Sequence, residues 1–117
     1  MSVLAFISNF RNFADKDTQI TQFSKGYCWH FAKLLEATFP GGKVCWCAPY
    51  AHFIYLYNNQ AYDINGIYDG EADYFIPETY LGPLLTDFTH IPNKAANATK
   101  DQINEIITRF ESERTVK

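Results

Sequence analysis

The sequence predicts an α+β fold, with helices packed on a small antiparallel sheet, and three observations predict it. Apolar residues recur at three- and four-residue steps near the start of the chain, again before "PGG", and again near its end. Between them, "KVCWCAPYAHFIYLYNNQAYDINGIY" is rich in aromatic and β-branched residues and is broken by the pair Asn58 and Asn59. At 117 residues, 47% hydrophobic and 17% aromatic, the chain is long and apolar enough to bury a core without staples. It reads as a single domain over residues 1–117, with no repeat, low-complexity tract or dividing linker.

The elements follow in order. Val3, Leu4, Ile7, Phe10 and Phe13 mark an amphipathic helix over residues 3–13. The polar stretch from Asp15 to Ser24 reads as a loop, with Ser24 as the cap of a helix over about residues 25–39. "PGG" ends that helix. "KVCWCA" is a short strand, and "AHFIYLY" and "QAYDINGIY" flank the two asparagines as a hairpin, because asparagine tolerates positive φ. Beyond Gly70 the chain is acidic and broken by Pro77, Gly82 and Pro83, with one short helix from Pro77. "TKDQINEIITRF" offers a capping box, Thr99 to Gln102, and then Ile103, Ile106, Ile107 and Phe110 on one face.

Charge and composition exclude several function classes. Residues 44–93 hold no lysine or arginine but do hold Asp63, Asp69, Glu71, Asp73, Glu78 and Asp87. A nucleic-acid surface needs basic groups for phosphate, so neutral or cationic partners are expected instead. No apolar run approaches a membrane span, and the first residues lack the charge and cleavage pattern of a signal peptide. Three cysteines suit a reducing compartment rather than a disulfide scaffold, so the cytoplasm is expected.

The chemistry concentrates on Cys28 and His52. A two-residue turn at Asn58 and Asn59 sets Tyr57 opposite Gln60 and His52 opposite Asn65. His52, Ile54, Leu56, Ala61, Asp63 and Asn65 then share one face, with Asp63 on the diagonal from His52. Phe53, Tyr55 and Tyr57 take the other face, which the terminal helix is expected to cover. Cys28 falls on the helical stripe of Phe31, Ala32, Leu35 and Phe39, where a thiol is a good core residue. In a helix's first turn, however, it also meets unpaired backbone N–H groups and the positive dipole end, which favour a thiolate. A histidine in reach, oriented by a third group, completes an activated nucleophile. Asp63 and Asn65 are both candidates for that third group.

The string Gln22, Gly26, Cys28, Trp29 and Phe31 resembles the nucleophile region of papain-like cysteine proteases. These carry glutamine six residues before the nucleophile, glycine two before, tryptophan just after and an aromatic three after. The family follows with a histidine on a later strand and an asparagine or aspartate on the next, and His52 and Asp63 keep that order. The resemblance covers about residues 22–66 and implies a minimal papain-like core, as in the NlpC/P60 and transglutaminase-like branches. It implies Cys28 as nucleophile, His52 as general base and acid, Asp63 as orienting group, and Gln22 as oxyanion donor beside the Cys28 backbone N–H. The expected activity is a small cysteine hydrolase acting on an amide, peptide or thioester bond of a peptide or protein substrate, without a cofactor. The alternative is an interaction module that keeps the fold without turnover, as an effector or inhibitor of a host protein.

Cys45, Cys47 and His52 also form a metal-like string, but structural zinc prefers wider ligand pairs, and cysteines two apart in a strand share one face as packing. No metal site is expected. His30 lies opposite the Phe31–Leu35 stripe and is expected in solvent. "IPETYLGPLL" is placed at the border of the cleft.

Overall fold

Ser2 starts the first helix by accepting the Ala5 N–H on its hydroxyl at 3.1 Å, and α1 (Val3–Arg11) buries Val3, Phe6, Ile7 and Phe10. The structure is a computed structural model that describes residues 2–25, 27–47, 52–69, 75–80 and 100–115, without the side chains of 22, 24, 25, 100–104 and 113–115. The second helix, α2 (Lys16–Lys25), corrects the loop expected over Asp15–Ser24. Asp15 caps it, taking the Thr18 N–H at 2.9 Å and the Thr18 hydroxyl at 2.6 Å. Gln19 and Phe23 are buried and Ile20 packs against the core, so an apolar stripe runs through a segment whose average composition is polar. Gln19 belongs to that stripe because its side-chain amide donates to the Phe10 carbonyl at 3.1 Å. Ser24 therefore lies within α2, and the next helix, α3 (Cys28–Thr38), has Tyr27 at its N-cap.

Five strands follow: β1 (Lys43–Cys47), β2 (His52–Tyr57), β3 (Gln60–Asp63), β4 (Gly66–Ile67) and β5 (Phe75–Pro77). All pairings are antiparallel, in the order β4-β3-β2-β1-β5. The β2–β3 turn matches expectation: Asn58 and Asn59 have φ of 51° and 64°, and Tyr57 pairs with Gln60. The ladder carries on through Leu56–Ala61 and Tyr55–Tyr62, while β1 meets β2 with Cys47 opposite His52. A 3-10 turn, Glu78–Tyr80, stands where a short helix was expected, and the chain ends in α4 (Lys100–Thr115). Thr99 and the side chain of Gln102, the expected capping box, lie outside the described residues.

One sheet face, with Val44, Phe53 and Tyr55, forms the main core with α1, α2, α3 and Phe110 of α4. The terminal helix thus shares a face it was expected to cover. Tyr55 ties the end of α3 to this sheet: its hydroxyl donates to the Phe39 carbonyl and accepts the Gly42 N–H at 3.0 Å. The other face is smaller, built on Cys45, Ile54 and Ala61 with Leu56, Tyr68 and Phe75 around them. Among the described residues, no helix is long and apolar enough to cross a membrane.

Candidate active site

Cys28 is the first residue of α3, and Tyr27 before it provides no side-chain cap. The helix start therefore presents backbone N–H groups that the Tyr27 side chain does not satisfy, at the positive end of the dipole. The thiol is half-buried. It accepts the Phe53 N–H at 3.5 Å, which joins the first turn of α3 to the start of β2.

His52 opens β2. Its Nε2 lies 3.0 Å from Asp63 Oδ2, with only 11% and 9% of the two side chains exposed. Asp63 Oδ1 accepts the Asn65 N–H at 2.8 Å, so both carboxylate oxygens are engaged and the group cannot swing away from the ring. Burial disfavours a charged His52, but hydrogen bonds to Asp63 and to Cys28 outweigh it and push the ring from 6.5 up to about 9. The imidazole thus stands between a thiol and a carboxylate, and a neutral ring donating Nε2–H to Asp63 has Nδ1 left as its acceptor.

The helix α3 packs on the sheet face of Phe53 and Tyr55, away from Ile54 and Ala61, and its Cys28 meets the Phe53 N–H at the start of β2. Of the two candidates for the third position, Asp63 binds the ring. Asn65 lies in the turn after β3, is exposed, and contributes its backbone N–H to Asp63 rather than its side chain to His52. Gln22 is on α2, but its side chain, like Gly26, lies outside the described residues. His30 is buried, not solvated; its ring packs edge-on to Tyr27 at 5.2 Å and Trp29 at 5.1 Å, because α3 buries a wider arc than one stripe.

Two neighbours of the site were not singled out by sequence. Tyr68 lies against His52, with ring centroids 5.6 Å apart, and its hydroxyl meets Cys47 Sγ at 3.4 Å. Glu78, in the 3-10 turn, accepts the Trp29 indole N–H at 2.9 Å and the Lys33 ammonium at 2.7 Å. That ties the segment after β5 to the helix carrying Cys28; residues 81–85 of the expected cleft border lie outside the described residues. Neither contact has a local sequence signal, since both need the sheet to close first. Cys45 and Cys47 are buried side by side on one sheet face, and burial pushes the Cys45 thiol up to about 11. Among the described residues, no three His, Cys, Asp or Glu side chains are grouped to hold a metal ion.

Compared with protein families, residues 6–116 match the model for phage YunG-like proteins. The chain belongs to this family. No curated protein and no solved structure matches it. Cys28, His52 and Asp63 all fall inside the matched stretch of this phage YunG-like chain.

Proposed function

We propose that this chain is a small cysteine hydrolase that cleaves an amide, peptide or thioester bond through Cys28, His52 and Asp63. The observation that carries the reading is the bond from His52 Nε2 to Asp63, with the Cys28 thiol held at the start of the same strand by the Phe53 N–H. That is the connectivity nucleophilic catalysis by a thiol requires. The papain-like resemblance of Gln22, Gly26, Cys28, Trp29 and Phe31 supports the same assignment.

In the reaction, Cys28 and His52 act as a thiolate–imidazolium pair, the Cys28 proton already residing on His52 Nδ1, and Sγ attacks the substrate carbonyl carbon. The resulting oxyanion lies near the start of α3, where the Cys28 backbone N–H is a donor, and Gln22 is the second proposed donor. Collapse breaks the bond to the amine or thiol leaving group, which takes the proton from His52. Water then gives a proton to His52, attacks the acyl carbon, and releases the acid and the Cys28 thiol. Asp63 stabilises the imidazolium in both halves and fixes the ring's orientation. The lack of lysine and arginine over residues 44–93 favours neutral or cationic peptide substrates and disfavours nucleic acid. Three free cysteines suit a reducing compartment, so we place the activity in the cytoplasm.

The test is a panel of peptide amides and acyl thioesters, read by product release and by intact mass. Turnover with an acyl adduct on Cys28, lost in a folded Cys28→Ala variant, supports the reading. No adduct with any substrate, and an undiminished biological effect in Cys28→Ala, would establish the interaction module instead.

A further inference from the structure

The bond from His52 to Asp63 fixes one point of the imidazole but not its plane. A ring held at Nε2 alone can still pivot about that contact and carry Nδ1 away from a thiol. Something must restrain the face of the ring, and Tyr68 is in place to do so. The two rings are tilted by 44° with centroids 5.6 Å apart.

Tyr68 is itself held at three points. Its N–H donates to the Ala61 carbonyl at 2.8 Å, which sets its backbone beside β3. Its ring stands 6.2 Å from Phe75 of β5. Its hydroxyl meets Cys47 Sγ at 3.4 Å, and Cys47 is the cross-strand partner of His52. The ring that contacts His52 is thereby tied back to the strand position opposite His52, a closed circuit of three residues. Tyr68 is part-buried, and its ring covers the side of the His52 imidazole that it contacts.

We infer that Tyr68 is a positioning residue for His52: its ring sets the plane of the imidazole, and the Cys47 thiol anchors the hydroxyl that sets the ring. This rests on the proposed hydrolase reading, because the orientation matters for turnover only if His52 serves Cys28. It assigns a use to Cys47, a buried thiol with no part in the reaction itself.

The experiment compares Tyr68→Phe, Tyr68→Leu and wild type in the full chain. One readout is the tautomer and titration of the His52 ring by proton–nitrogen NMR, and the other is alkylation of Cys28 by iodoacetamide at pH 6.5. Tyr68→Leu is expected to mix the two ring tautomers, move the His52 titration down toward 6.5, and slow Cys28 about tenfold or more. Tyr68→Phe, which keeps the ring but loses the hydroxyl that meets Cys47, is expected to show a smaller share of both effects. A folded Tyr68→Leu chain with the wild-type tautomer and rate overturns the inference, and a Tyr68→Phe chain indistinguishable from wild type overturns the part given to Cys47. If the Leu variant does not fold, Tyr68→Met takes its place under the same criteria. A wild-type Cys28 that reacts no faster than a simple thiol defeats the hydrolase reading, while the NMR readout still decides the role of Tyr68.

Discussion

His52 and Asp63, eleven residues apart on adjacent strands, meet with Nε2 3.0 Å from Oδ2 in surroundings that expose about a tenth of either side chain. A buried imidazole that binds a carboxylate at Nε2, with a thiol at the start of its strand, keeps its proton above neutral pH. The electrostatics of the site follow from that contact.

Replacing Asp63 by Asn should uncouple the site without removing His52. The amide cannot stabilise an imidazolium as a carboxylate does, so the His52 titration should move down from about 9 toward 6.5. Hydrolysis at pH 7 should fall roughly 100-fold or more, because the ring also loses its fixed tautomer. NMR titration of the ring, beside single-turnover kinetics, checks both.

Stability should fall as the solution is made alkaline. His52 binds its proton more tightly in the folded chain than in the unfolded one, so the folded state gains most at low pH. The contribution is whole below about 6.5, shrinks as pH rises, and is gone above about 9. At about 1.4 kcal/mol per pKa unit its ceiling is roughly 3 kcal/mol. Urea unfolding at pH 6, 8 and 10 should show this loss in wild type, and His52→Gln should flatten it.

Much of the fold and part of this site are legible in the sequence, for reasons specific to particular residues. Asn58 and Asn59 announce the hairpin because both adopt positive φ, and the two-residue turn fixes a register that brings His52 and Asp63 to one face. Pattern alone leaves Asp63 and Asn65 equivalent. They separate because β3 ends at Asp63 and the chain turns, leaving Asn65 exposed and making its N–H a donor to the carboxylate. The helix α2 is hidden because its buried Gln19 looks polar until the Phe10 carbonyl is found above it. Tyr68 and Glu78 are illegible for a different reason: their partners, His52 and Trp29, are reached only through the closed sheet and the strand β5 beside β1.

Glu78→Ala should loosen the helix that carries Cys28. It leaves the Trp29 indole N–H and the part-exposed Lys33 ammonium without their shared acceptor. The loss should be about 1–3 kcal/mol in urea unfolding, with most of it from the indole rather than the solvated charge. Glu78→Gln should recover part, since its carbonyl still accepts from Trp29. The Trp29 fluorescence should report the change directly.

Gly42→Ala should also destabilise the chain. A Cβ there would press on the Leu56 carbonyl and stand 2.7 Å from the Tyr55 ring, whose hydroxyl pins the turn after α3. Relieving that overlap should cost about 1–3 kcal/mol. The thermal midpoint should drop, while Gly41→Asn, at a position of φ 108° with open space around it, should be milder.

The most direct measurement follows iodoacetamide labelling of Cys28, Cys45 and Cys47 by peptide mapping from pH 5 to 10, in wild type and in His52→Ala. Cys28 is expected to be labelled far faster than the two buried thiols at pH 6.5, with its advantage lost in the variant. Labelling of Cys28 that is slow in both chains, or equally fast in both, would contradict a thiol activated by His52.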